Sequence, residues 1–443
     1  MILALGHPAG ATRPARDSAR AHELARAGLE REALLDVDSA LALYRAARRA
    51  DSTDIVAEFR YIAMRRQRFE YRVLRDEYGP SEARWSPRGT ACLAPLVTAV
   101  IEVREAAPRG SLSDDSGDAA PCTSALAALD LPSSGSTPLS TRLAMGDRAT
   151  RALPGIPDLW ISYAMLLHDA GDMQRAEDVW RRGEAAVGSP LLRMKVGMYH
   201  ASELMQAGDT AAARSLQRGL RNIALRDGRR GVVAGYYTWA LTTPNLSDDD
   251  GGPMQVMARL LGLCGSPGGW GLAADALMRE GKALIDGGQP LRAIPLLSRA
   301  VAIGDSARVS DLQLTALTLR GRAYTKAGRP ADAERDLLRA LAAGKTAARV
   351  WYRADAYHNI GHAYESEGRW TDAVRAIDTF TAMARQMQYG PEVTGLLDAA
   401  EISWKAGWHA SADVDFRRMV HAIDSTQGNY YYAGEYFERK GDL

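Results

Sequence analysis

Gly321-Arg-Ala-Tyr324-Thr-Lys-Ala-Gly328-Arg-Pro-Ala-Asp-Ala333 and Gly361-His-Ala-Tyr364-Glu-Ser-Glu-Gly368-Arg-Trp-Thr-Asp-Ala373 lie 40 residues apart and share one spacing. Leu337 and Ala340 extend the first copy as Ile377 and Phe380 extend the second. Small residues at the first and fourth places let two helices approach closely, and the large ones fill the seam beside them. The middle glycine, Gly328 or Gly368, ends a first helix in a left-handed cap, which glycine adopts without a steric penalty. The stretch reads as a helix–turn–helix unit repeated back to back.

Weaker copies extend outward on both sides. Gly281, Leu284, Gly288, Ala293, Leu297 and Ala300 precede the central pair; Ala400, Gly407, Ala412, Phe416 and Met419 follow it. Trp160, Tyr163, Ala164, Gly171, Ala176 and Trp180 give an earlier copy, and Ala201, Leu204, Gly208, Ala213 and Leu220 another. Between them and the centre, 231–263 reads as a degenerate unit whose enlarged turn holds the acidic run Asp248-Asp-Asp250. That run lacks the alternate-position ligands and distal Glu of a calcium loop, so a solvated turn is expected. Near the N-terminus Leu24, Ala27, Gly28, Ala40, Tyr44 and Ala47 match the offsets, with Leu35 where the turn glycine belongs. Looser helices are expected over 54–68 and 69–78. The turn glycines at 288, 328, 368, 407 and 441 are spaced 40, 40, 39 and 34 residues apart.

This pattern resembles the tetratricopeptide (TPR) repeat, Trp-x2-Leu-Gly-x2-Tyr followed by Ala-x3-Phe. The resemblance covers 157–443 and, more weakly, 21–78. It departs from the family in mostly lacking the closing Pro and in units of 39–40 residues. It implies an all-α fold, a right-handed solenoid of antiparallel helix hairpins. The expected organisation is a disordered arm at 1–18, TPR-like hairpins over 19–78, and an irregular Gly/Ser/Pro-rich segment with one apolar helix over 79–136. The array then runs over 137–443, with units near 157–190, 194–227, 231–263, 274–307, 314–347, 354–387 and 393–426 and an incomplete one at 427–443. Tyr430, Tyr431, Tyr432, Tyr436 and Phe437 load that last stretch with aromatics that a terminal cap should not show to water.

Composition narrows the classes of function. Ala-, Leu- and Arg-rich text with five Phe favours helix. Lys plus Arg number 55 against 54 Asp plus Glu, a balance without the basic footprint of a nucleic-acid binder or a polybasic membrane face. No apolar run approaches a membrane span. Cys92, Cys122 and Cys264 show no metal spacing and read as isolated thiols, although Cys92 and Cys122 flank a loop and would be free to pair in an exported chain. The N-terminal Met1-Ile-Leu-Ala-Leu-Gly ends in small residues like a clipped signal but lacks a basic start. A cytoplasmic location is the default expectation, with export left open.

In TPR proteins, ligands lie in the concave groove lined by first helices, at the second, fifth, ninth and twelfth positions of each unit. Carried onto this sequence, those positions are Asp275, Met278, Lys282 and Ile285; Thr315, Thr318, Arg322 and Thr325, with Lys326 adjacent; Asp355, His358, His362 and Glu365; and Thr394, Leu397, Glu401 and Trp404. The groove residues expected to matter are Lys282, Arg322, Lys326, His358, His362, Glu365, Glu401 and Trp404. They do not match a chaperone-type carboxylate clamp; a peptide of mixed charge, held by several weak contacts, suits them better. His358 and His362, at i and i+4, can both reach one zinc ion, but Asn359 stands where a zinc peptidase needs Glu, and no nearby Cys or third His adds a ligand. They are read as a groove-lining pair, with no metal and no cofactor expected. Gly265-Ser-Pro-Gly-Gly-Trp-Gly271 is not a phosphate loop, and no nucleophile elbow is present.

The expected function is a non-enzymatic scaffold for a protein or peptide partner, without nucleic acid and with no oligomeric state implied. The alternative expectation is the sensor or regulatory N-terminal part of a larger protein, resembling bacterial chains that carry a CHAT-type peptidase, a kinase or a transcriptional effector.

Overall fold

The computed structural model describes residues 17–51, 54–78, 139–243, 250–264, 269–386 and 392–425. The expected arm before residue 17, the segment 79–136 with Cys92 and Cys122, and the aromatic stretch 427–443 lie outside them. Among the described residues there are nineteen helices and no strand, stacked as antiparallel hairpins into an all-α superhelix.

Two hairpins come first: α1 (Ser18–Ala33) with α2 (Val37–Ala50), and α3 (Ile55–Gln67) with α4 (Tyr71–Tyr78). Helix α5 (Leu139–Ala152), which has no counterpart in the repeat pattern, leads into the main array. The array pairs α6 (Pro157–Asp169) with α7 (Met173–Ala186), α8 (Pro190–Gln206) with α9 (Thr210–Asp227), and α10 (Arg230–Thr242) with α11 (Pro253–Leu263). The regular units are α12 (Trp270–Asp286) with α13 (Pro290–Ala307), α14 (Ser310–Lys326) with α15 (Pro330–Gly344), α16 (Val350–Ser366) with α17 (Trp370–Gln386), and α18 (Glu392–Lys405) with α19 (His409–Ser425).

The central seam is built as its spacing predicts. A Cβ on Gly321 would sit 2.6 Å from Leu337 Cγ, and one on Gly361 2.6 Å from Ile377 Cδ1. Removing that carbon lets the large residue of the second helix reach the first helix's backbone. Gly328 and Gly368 stand at φ 69 and 72, at equivalent corners. At each corner an N–H reaches five residues back: Arg329 N–H donates to Tyr324 O and Arg369 N–H to Tyr364 O, both at 2.9 Å, which satisfies a carbonyl the helix end would orphan. Units are tied through Asp311, buried at the start of α14, whose Oδ1 accepts from the backbone N–H of Ala348 and Arg349 at 2.9 Å each. That carboxylate caps the entry to the next first helix from the unit before it.

The N-terminal hairpins lie against this array. A Cβ on Gly231, in the first turn of α10, would run into the carbonyl oxygen of Glu32 at the end of α1. One on Gly271, in the first turn of α12, would run into that of Gln67 at the end of α3. Each contact brings a helix C-terminus to a helix N-terminus, so partial charges of opposite sign meet. Arg229 adds an ion pair to Glu30 at 2.6 Å, and the Arg349 guanidinium lies 4.8 Å from the Tyr71 ring centre.

The acidic turn before α11 differs from expectation. Residues 244–249 lie outside the described set, but Asp250 is buried rather than solvated. It accepts from Tyr236 Oη at 2.8 Å and pairs with Arg221 at 2.8 Å and Arg259 at 3.3 Å. A carboxylate taken out of water requires such partners, and they come from helices on both sides that no local spacing connects to it.

Candidate functional site

The positions assigned to the groove divide by depth. Met278, Ile285, Thr315, Thr318 and Leu397 are buried and belong to the helix interfaces. The eight singled-out residues, Lys282, Arg322, Lys326, His358, His362, Glu365, Glu401 and Trp404, all keep some exposure, most of them on the C-terminal halves of first helices. The structure links several of them across units. Asp286, at the end of α12, pairs with Lys282 at 2.5 Å and with Arg322 of the next first helix at 2.9 Å. Burial would raise its carboxyl, but the hydrogen bond from Lys282 and the Arg322, Lys282 and Lys326 charges hold it low. Lys405, at the end of α18, pairs with Glu365 of α16 at 2.7 Å. Trp404 packs edge-on against His409, ring centres 4.3 Å apart.

The densest part of this surface lies between α16 and α18. His358 and His362, one helical turn apart, bring their Nε2 atoms to 3.2 Å. Asp398 Oδ2, from α18, lies 2.7 Å from His358 Nε2 and 3.7 Å from His362 Nε2. Glu365 Oε2 lies 3.0 Å from His362 Nδ1 on the far side of that ring. The His358 ring stacks on Phe380, centres 4.6 Å apart, which fixes its plane. Burial works against charge on His362, but the Asp398 and Glu365 carboxylates on either side of the ring outweigh it and bring the imidazolium up to about 9. Burial would likewise raise Asp398, yet its hydrogen bond with His358 and the nearby His362 ring hold it well below the usual carboxylate range. Glu365 is lowered against its own burial by His362 and Lys405.

Asp286, Asp398 and Lys405 were not singled out by the spacing argument. The signal for two of them is the repeat period itself: 40 residues on from His358 is Asp398, and 40 on from Glu365 is Lys405. The other chemistry-bearing candidate, Cys264, is a buried thiol that burial pushes up to about 11, the behaviour of a core residue.

No family model matches the sequence, and no curated protein matches it either. Among solved structures, the chain aligns with a Signal Transduction ATPase with Numerous Domains (STAND) protein with a tetratricopeptide repeat sensor from Pyrococcus horikoshii. The two share 12% identity over 96% of this chain and 74% of that one, with a TM-score of 0.50. The fold of this chain is that of a TPR-like helical repeat. The TPR-like array also aligns with aspartyl phosphate phosphatase F from Bacillus subtilis (13% identity, 95% of this chain and 98% of that one, TM-score 0.41). A Rap protein complexed with Competence and Sporulation Factor gives 13% identity, 92% and 98% coverage, and a TM-score of 0.41. At these identities the likeness concerns the fold alone. Among the described residues no helix is long and apolar enough to cross a membrane.

Proposed function

We propose that this TPR-like protein is a non-enzymatic protein-interaction scaffold. Its ligand is a peptide or partner-protein segment of mixed charge, laid along the open C-terminal halves of the first helices. The supporting observation is the set of charged contacts that run from unit to unit: Arg322 to Asp286, His358 to Asp398, and Lys405 to Glu365. They join α12 to α14 and α16 to α18, and the Arg322 charge acts on Asp355 of α16 between the two pairs, so the four helices present one polar strip. A repeat stack that buries its apolar faces between neighbours leaves such a strip as its presented surface. The strip is basic at Lys282, Arg322 and Lys326 and turns acidic and aromatic toward Glu401 and Trp404.

The test is selection of peptides from a library on the immobilised chain, followed by measurement of the Kd of the best binder. Arg322→Glu with Lys326→Glu reverses the basic sector and should weaken that Kd by about tenfold or more. An unchanged Kd in a variant with native helix content would place the contact surface elsewhere.

A further inference from the structure

The His358, His362 and Asp398 side chains present three ligand atoms to one point, and ordinary hydrogen bonding does not account for all three contacts. An imidazole nitrogen carries either one proton or one lone pair in the ring plane. His358 Nε2 nevertheless faces both Asp398 Oδ2 at 2.7 Å and His362 Nε2 at 3.2 Å. If it is protonated toward Asp398, it turns no lone pair to an N–H on His362. If it is unprotonated, it sets a lone pair against a carboxylate. No placement of protons gives every edge of this triangle a straight hydrogen bond, whereas a single cation among the three atoms accepts a lone pair from each.

We propose that His358, His362 and Asp398 bind one divalent transition-metal ion of the zinc class, joining α16 to α18. Zinc–nitrogen bonds of about 2.0–2.1 Å place two ligands of a tetrahedral site about 3.3–3.4 Å apart. The histidine nitrogens stand 3.2 Å apart, and the carboxylate oxygen's 2.7 and 3.7 Å bracket the same edge. Two imidazoles and a carboxylate suit zinc rather than calcium or magnesium, which take oxygen ligands. Glu365 at His362 Nδ1 occupies the place of the carboxylate that orients a metal-bound histidine and leaves Nε2 free to ligate. Phe380 stacked on His358 holds the second ring in plane. Asp398 is buried while the histidine side chains are 23% and 34% exposed, so the fourth tetrahedral position faces the open side. The site stands on its own geometry, whether or not a peptide occupies the groove.

The experiment uses the full chain with any affinity tag removed, stripped with chelator, then equilibrated with Zn(II), desalted and assayed for metal. The expected result is about one zinc per chain. His358→Ala and His362→Ala should each reduce it to background. Glu365→Gln should weaken affinity by about 10- to 100-fold with the ligands intact, and the exposed His22→Ala should behave as the parent. Co(II) in place of zinc, added to the unmutated chain, should give the intense visible bands of a tetrahedral centre, a readout independent of whether any variant folds. Zinc binding should also raise the Tm of the parent chain and leave that of His362→Ala unmoved. A parent chain that retains no zinc and stays colourless with Co(II) overturns the proposal. So do histidine variants that bind zinc as the parent does.

Discussion

At the α14–α15 corner, Gly328 stands at φ 69, and a Cβ there would have nothing within 4 Å. At the α1–α2 corner, Leu35 stands at φ 63 and is 4% exposed, and Phe69 does the same at the α3–α4 corner, at φ 56. The hydrogen bonds of these turns are the same: Asp36 N–H reaches Arg31 O and Glu70 N–H reaches Arg65 O, as Arg329 reaches Tyr324. What differs is the far side of the corner. In the array it faces water, so the conformational freedom of glycine decides the residue. In the N-terminal hairpins the ends of α1 and α3 press on the starts of α10 and α12, so a buried side chain offsets a left-handed backbone costing about 1–2 kcal/mol.

The seams differ in the same way. Between α14 and α15 an apolar contact of Gly321 with Leu337 dominates, with Arg320 and Asp336 as a buried pair beside it. Between α1, α2 and α3 a buried ionic cluster crosses the apolar interior. Glu32 accepts from Tyr44 Oη at 3.0 Å and from Arg60, and all three side chains are buried. The Arg60 guanidinium is desolvated, but the Glu32 carboxylate keeps it charged, while burial, reinforced by the same carboxylate, pushes the Tyr44 phenol up.

The sharpest way to break this contrast is Arg60→Leu. It leaves the buried Glu32 carboxylate without its cation, with Tyr44 Oη as its remaining donor, and the loss of one partner of a buried pair costs about 3–5 kcal/mol. Hydrogen exchange should accelerate across Ser18–Tyr78 while the amides of α14 and α15 keep their protection; equal acceleration in both regions would mean that they unfold as one unit. A smaller effect is expected at the seats. Gly271→Ala drives a methyl into the Gln67 carbonyl, a backbone group that cannot turn aside, at a cost of about 1–3 kcal/mol. Gly361→Ala meets chiefly the flexible end of Ile377 and should cost less. Exchange in α3 and α4 should rise for the first variant and not the second, and the reverse order would remove the seat from the account.

Effects of comparable or smaller size are expected at the corners. Leu35→Gly relieves the left-handed strain but gives up a buried leucine, for a net loss of about 1–3 kcal/mol. Gly368→Ala, with open space around it, should lose only the backbone term of about 1–2 kcal/mol. Urea unfolding reports both through the midpoint. A rise in midpoint for Leu35→Gly would show that strain outweighs burial at that corner.

The repeat was legible because its signals are local. Gly321, Tyr324 and Gly328 occupy one helix and its turn, and their spacing carries the seam and the cap together. The groove was legible only in outline. The pattern finds the faces of first helices, but Met278, Thr315 and Thr318 face inward, and whether a position is open depends on how tightly the next helix lies against it. Asp250 was misjudged for the same reason, since its partners come from Arg221, Tyr236 and Arg259.

Spacing along the chain therefore determined the helix pairs, their glycine corners and the small-to-large seam, since each depends on residues within one hairpin and on backbone sterics that residue type alone decides. Stacking between hairpins decided the rest: Asp398 beside His358 and His362, Gly231 and Gly271 beneath the ends of α1 and α3, and a buried leucine in a corner built for glycine. Those contacts join residues that only the register of one helix against another brings together, and that register is set by the packing of the whole array.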